Sequence, residues 1–314
     1  MTRYLFPRRT GLGLIVVAVA TAVVASGAAG AGSWKTLAPV PAPTEGMQTA
    51  VVGNRIVAAY GFSGGDTQLT RIYDVAANSW SFGAPAPSPA RSEGAAASHG
   101  GFFYAVGGRT ALADLDRYDP ATDMWTSLAD MPTPRGGLGV AVAGNALYAI
   151  GGRTGGSPCA GGALATVERY DIATNTWSTV APLPSARSDL AAVAHGGRIY
   201  VFGGCTNAGA VLADVDVYNP RTNTWSTAPA DMPTARAAMY GAAKKGGTVY
   251  VVGGWAPASG QLTTNEAYKI ASDTWSASLA MPSARAEMGV VGHGGRIFTV
   301  GGGIFGWLGP PAHS

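Results

Sequence analysis

Short apolar runs recur along the chain, and each ends in two small residues: Gly107-Gly108, Gly151-Gly152, Gly203-Gly204, Gly253-Gly254 and Gly301-Gly302, with Tyr60-Gly61 as a divergent first copy. Five of them lead, through a loop, to a tyrosine that is followed seven residues later by tryptophan: Tyr73 and Trp80, Tyr118 and Trp125, Tyr170 and Trp177, Tyr218 and Trp225, Tyr268 and Trp275. Successive copies lie 44 to 52 residues apart, a period that marks a repeat architecture. Each copy reads as four short antiparallel strands, a to d. Met/Leu-Pro-x-x-Arg leads into apolar strand a, strand b ends at the diglycine, strand c ends in Tyr-Asp and strand d carries Trp. Turns such as Gly144-Asn145 and Gly196-Gly197 suit tight hairpins, because Gly and Asn accept positive φ at little cost. Diglycine at a strand end lets backbones approach closely, while Tyr and Trp fill the widening gap between neighbouring sheets.

Strand a starts near Thr44, Arg91, Arg135, Arg187, Arg236 and Arg285, which predicts an all-β, six-bladed propeller of four-stranded antiparallel blades over residues 32–308, with a tail at 309–314. The last copy lacks its Tyr and Trp. The missing Trp stands at the other end, where Ser33-Trp34-Lys35-Thr36-Leu37 precedes Ala38-Pro39 and matches the segments at Trp177 and Trp225. The N-terminal strand is therefore expected to complete the last blade and close the ring, leaving no open edge between blades. Strand c of that blade has only residues 304–308 to draw on.

These residues resemble the kelch repeat over residues 34–303, within the galactose oxidase-like propeller superfamily. The resemblance implies the fold strongly and the function weakly, since such propellers serve as adaptors, sugar-acid mutarotases and copper oxidases. In kelch adaptors, arginines at matching positions bind acidic peptide motifs. That implies a ligand site at Arg91, Arg135, Arg187, Arg236 and Arg285, which open strand a and point to the mouth bearing the b–c and d–a loops. A copper oxidase of this type needs two His, two Tyr and a Cys-linked Tyr, whereas His99, His195 and His293 sit in the a–b turns at the opposite mouth. No metal and no cofactor are expected.

Residues 1–31 read as a secretory leader: Arg3, Arg8 and Arg9 precede an apolar run over residues 12–25 and the small residues Ala29-Gly30-Ala31. The run is short for a membrane span, which needs about 20 residues; an uncleaved N-terminal anchor is the alternative, and Arg8-Arg9 hints at twin-arginine export. Removing the three arginines leaves 18 of the 21 basic residues against 18 acidic ones. A neutral chain without a basic run points away from nucleic acid and anionic membrane. With 46 Gly and 20 Pro but 12% charged residues, the chain is turn-rich and globular, not disordered, and is expected to be a secreted monomer. Its two cysteines, Cys159 and Cys205, reach the loop mouth on adjacent blades, so a disulfide is expected.

Two residues beyond the strand a starts, Glu93, Asp189 and Glu287 alternate with Gly46, Gly137 and Ala238, as in a ring of three two-blade units. The acids offer general acid–base groups or a cation site, or pair with the arginine two residues before each. Trp255, in a long b–c loop, could stack on a sugar. The expected function is binding of an extracellular glycan or an acidic protein segment at the loop mouth; the alternative is a sugar-acid mutarotase using Glu93, Asp189 or Glu287 beside an Arg.

Overall fold

A computed structural model of the chain describes residues 21–24, 33–42, 44–155 and 157–303. It is a β-propeller of four-stranded antiparallel blades. Blade one comprises Gln48–Val52, Arg55–Ala59, Thr70–Asp74 and Ser79–Phe82, and blade two Ala95–His99, Phe102–Gly108, Leu112–Asp119 and Met124–Ser127. Blade three is Gly139–Ala143, Ala146–Ile150, Val167–Asp171 and Thr176–Val180; blade four is Ala191–His195, Arg198–Phe202, Val215–Asn219 and Thr224–Ser226. Blade five consists of Ala243–Lys245, Thr248–Val252, Asn265–Lys269 and Thr274–Ala277.

The count of six is corrected to five blades, each built from one continuous stretch of chain. The remaining four-stranded sheet is a composite of the two ends: Gly289–His293 and Arg296–Val300 pair with Thr21–Val24, which in turn pairs with Ser33–Thr36. The third strand of this sheet comes from Thr21–Val24, in the apolar run read as a leader, and not from residues 304–308, which lie outside the described residues together with the tail.

Between blades the Tyr and Trp act as one clasp, repeated five times. The residue two before each Trp is Asn78, Asp123, Asn175, Asn223 or Asp273, held at φ 50–55°, a conformation Asn and Asp tolerate better than other side chains. Its Oδ1 accepts the hydroxyl of the blade's own Tyr at 2.5–2.7 Å and a backbone N–H of the preceding d–a segment, from Ala38, Ala84, Ala129, Ala181 or Ala230, at 2.7–2.9 Å. The carbonyl of that same alanine accepts the indole N–H of the Trp at 2.8–3.2 Å. Trp34 makes the equivalent bond to the Leu279 carbonyl at 3.0 Å, which joins the chain ends across the composite sheet.

Two of the clasps titrate. The Tyr118 hydroxyl and the Ala84 N–H hold Asp123 below the usual carboxylate range, and the Ala230 N–H and Tyr268 hydroxyl do the same for Asp273. A carboxyl whose folded pKa is depressed adds stability above its unfolded pKa, near 3.9, and that stability is lost as pH falls through the folded value. An Asp123→Asn/Asp273→Asn variant keeps every acceptor, as Asn78, Asn175 and Asn223 do. Its melting temperature at neutral pH should be unchanged and its decline below about pH 4 shallower than that of the parent, as followed by circular dichroism.

The first strands stand around the axis and enclose a channel of about 260 Å³, lined by residues 49–51, 95–98, 138–140, 190–192, 240–242 and 290–292 with Lys244.

Candidate functional site

At the loop mouth the channel is ringed by six residues in the left-handed conformation: Gly46, Glu93, Gly137, Asp189, Ala238 and Glu287, with φ between 53° and 62°. Their main chains bond to one another around the axis. Gly46 N–H donates to Glu287 O, Glu93 to Gly46, Gly137 to Glu93, Asp189 to Gly137 and Glu287 to Ala238, while Met239 N–H closes the circuit on Asp189 O; the distances are 2.6–3.3 Å. Carboxylates therefore stand on alternate members of a rigid hoop, where positive φ in a non-glycine residue marks conformational strain of about 1–3 kcal/mol.

Inside the hoop lies a guanidinium that the sequence reading missed. Arg153 is buried and pairs with both Glu93 and Asp189. Gly137 makes room for it: a Cβ there would lie 2.1 Å from Arg153 Nη1 and 2.7 Å from Asp189 Oδ1. Tyr240 donates its hydroxyl to Asp189 Oδ1 at 3.2 Å, and Ser188 Oγ donates to Asp189 Oδ2 at 2.7 Å. Glu287, partly buried, has no side-chain hydrogen bond among the described residues. Burial pushes Glu93 up despite the opposing charge of Arg153. Burial, and then the charges of Glu93, Glu45 and Asp189, push Glu287 well above the ordinary range. Burial also raises Glu45, against the pull of Arg109. For Arg153, burial opposes its charge but Asp189, Tyr240 and Glu93 outweigh it, so it stays protonated. Four acids thus gather about the buried Arg153, with the half-buried Arg109 beside them and shared with Asp66.

The five arginines that open strand a take a different role from the one the kelch resemblance implied. Arg91, Arg135, Arg187 and Arg236 are fully buried and Arg285 is 9% exposed. Each of the first four is held by an acid of its own blade's third strand. Arg91 pairs with Asp116 at 2.7 Å, Arg135 with Glu168 at 2.6 Å, Arg187 with Asp216 and Arg236 with Glu266. The expected pairing with Glu93, Asp189 and Glu287 is corrected accordingly. The hydroxyls of Thr133 and Thr234 further cap Glu168 and Glu266 at 2.7 Å. Blade one reverses the arrangement: Arg71, on the third strand, donates to Thr44 Oγ1 at 2.7 Å and to the carbonyls of Pro41 and Tyr60. Arg285 donates to Ser283 Oγ and Gly301 O. A guanidinium so placed stitches strand a to strands b and c instead of facing the mouth.

Cys159 and Cys205 form the expected disulfide. It lies against the hoop, with Cys159 N–H 3.4 Å from Asp189 Oδ2, and ties blade three's b–c loop, which carries Arg153, to blade four. Trp255 is buried, packed with Ala238 and Ala286, so its ring is not the exposed sugar platform expected of it. Phe62 instead lies under Arg109, whose guanidinium carbon is 4.6 Å from the ring centroid.

Arg153 was discoverable. Each diglycine-type pair is followed directly by a residue that bridges to the segment beside the hoop: Phe62 to Glu45, Arg153 to Gly136, Cys205 to Ser188, Trp255 to Ala237 and Gly303 to Ala286, with Arg109 N–H bonded to Ser92 O. That one position, unlike the repeat around it, changes chemistry in nearly every copy.

Comparison with known proteins agrees with this architecture. Residues 129–302 match the family model described as the KLHDC2/KLHL20/DRC7 Kelch-repeats domain, and residues 90–132 match the Kelch motif. The chain is 32% identical over 178 residues to Kelch repeat and BTB domain-containing protein 13 of Homo sapiens, covering 54% of this chain and 37% of that protein. It is 28% identical over 192 residues to Kelch-like protein terF of Aspergillus terreus, covering 55% and 41%. It is 36% identical over 137 residues to alpha-scruin of Limulus polyphemus, covering 40% and 14%. The chain thus spans less than half the length of these relatives.

Proposed function

Because the chain belongs to the kelch-repeat family, we propose that it is a protein-binding propeller whose loop-bearing mouth takes a basic segment of its partner. One observation carries the sign of that charge. The strand a arginines are committed to their own blades, while Glu45, Glu93, Asp189 and Glu287 gather at the mouth of the channel about Arg153 and Arg109, the latter shared with Asp66, so that acids outnumber cations there. A lysine or arginine of a partner supplies the missing positive charge, and a pre-formed main-chain hoop keeps the ordering cost of binding low. Protein is favoured over glycan because the Trp255 ring is buried against Ala238 and Ala286 and offers no open face for a sugar. The disulfide supports an extracytoplasmic setting.

Titrating the full chain with a lysine-rich peptide and a glutamate-rich peptide of equal length tests this reading. The basic peptide should bind more tightly when the ligand must reach the loop mouth, and Glu45→Gln/Glu287→Gln should weaken it by about tenfold. Basic-peptide affinity indifferent to that pair of substitutions would refute it.

A second reading, the sugar-acid mutarotase, is favoured by one feature: Glu93, Asp189 and Glu287 do converge with a guanidinium, and two of the three have raised pKa values. A carboxyl raised in this way is better suited to act as a general acid than an ordinary one. Faster anomer exchange of sialic or uronic acids by NMR, abolished in Glu287→Gln, would select it over binding alone.

A further inference from the structure

We propose that the mouth opposite the axial carboxylates is a second docking surface, and that its partner is an acidic polypeptide segment. Three neighbouring a–b hairpins, of blades four and five and of the composite sheet, turn at Gly196-Gly197, Gly246-Gly247 and Gly294-Gly295. Beside those turns stand Arg198, Lys244, Lys245 and Arg296; the first two and the last are exposed. The hairpins touch. Lys244 Nζ donates to the Ala194 carbonyl of blade four at 3.1 Å, and a Cβ on Gly295 of the composite sheet would lie 3.9 Å from Lys245 Cε. Arg221 and Lys269, both exposed, extend the arc at the c–d ends of blades four and five.

Among the described residues of these turns the one acid is Asp273, already engaged by Tyr268 and Ala230. Blades one to three differ: there Asp74, Asp119, Asp123 and Asp171 offset Arg55, Arg117 and Arg169. The excess of positive charge is therefore on the half formed by blades four and five and the composite sheet. Its members come from hairpins about a blade apart in the chain, which is why no basic run is visible in the sequence.

The tips between these cations are bare. A Cβ at Gly196, Gly197, Gly246, Gly247 or Gly294 would meet no atom within 4 Å, so a ligand's backbone can come close to the peptide groups. An acidic polypeptide needs only this: cations for its carboxylates and open main chain for its own amides. Single-stranded nucleic acids and many sugars rely on aromatic platforms, whereas here Tyr200 and Phe298 are buried and the half-buried Tyr250 is packed against the cluster of Ala243 and Val252. Nor do they expose a large apolar side chain to enter a bilayer.

The test is fluorescence anisotropy of a labelled polyglutamate peptide with the full chain, at low salt and at about 0.5 M, where the Debye length drops below about 5 Å. Binding at low salt should weaken by about tenfold or more in Arg198→Glu/Lys244→Glu/Arg296→Glu. Arg55→Glu, on the acidic half, and the loop-mouth pair Glu45→Gln/Glu287→Gln should leave it unchanged. The milder Arg198→Gln/Lys244→Gln/Arg296→Gln set, checked by its melting temperature, should lose affinity in the same direction and so separates lost contact from lost fold. Absence of binding at low salt, or equal affinity in the triple variants, overturns the proposal. Anionic vesicles or heparin bound as tightly through the same three residues overturn the polypeptide as partner.

Discussion

Arg135→Met should cost about 3–5 kcal/mol of folding stability, because it strands the buried Glu168 carboxylate without its partner. In melting temperature that is of order 10 °C for a chain of this size. The same variant combined with Glu168→Leu should recover most of the loss, since a buried ion pair exchanged as a whole for apolar side chains is often neutral. Failure of the second substitution to rescue the first would show that the pair does not act as a unit. Blade one offers the mirror case. Arg71→Met leaves Thr44 and the carbonyls of Pro41 and Tyr60 without a donor but strands no charge, so it should cost less than Arg135→Met. If the five strand a arginines were ligand groups instead, these substitutions would alter binding and leave the melting temperature in place.

Deleting Ser33–Thr36 should lower the melting temperature at least as much and broaden the transition. That strand is the outer member of the composite sheet, and Trp34 packs against the cluster of Ala243, Val252, Met281 and Met288. Trp34→Phe should cost about 1 kcal/mol, the indole N–H to Leu279 O bond alone, and Trp34→Ala about 2–4 kcal/mol with the packing included. Thermal unfolding by circular dichroism separates the three. An unchanged transition in the deletion would mean that the ring does not depend on this strand.

Blade architecture was legible in the sequence because it is written in spacing: Tyr73 and Trp80, and their four later equivalents, report a clasp whose distances repeat. The last sheet was only half legible. Trp34 announced its outer strand, but Thr21–Val24 carries no Tyr-Asp, and an apolar run of that kind reads equally as export signal or strand. The site was legible by position and misread by partner. Arg135 and Glu168 are 33 residues apart, in strands whose pairing brings them together, and nothing in local spacing distinguishes that acid from Glu93 or Asp189. Arg153 escaped because it follows the diglycine, where the repeat stops being regular. The alternation of Glu93, Asp189 and Glu287 with Gly46, Gly137 and Ala238 was read correctly as a pattern. What it could not reveal is that Gly137 is small because a guanidinium occupies the space a side chain would take.

The hoop through those six positions separates two jobs that most binding loops combine. Main-chain N–H and C=O groups carry its geometry, so Glu287, whose side chain has no hydrogen bond among the described residues, can change chemistry with little disturbance to the strands behind it, whereas Glu93 and Asp189 are tied to Arg153, Ala238 packs on Trp255, and Gly46 and Gly137 have little room for a side chain. A gene duplicate of such a propeller can then acquire a new charge at the axis by one substitution at Glu287, and a library confined to that position should yield folded members at high frequency, with diversity in charge and not in backbone.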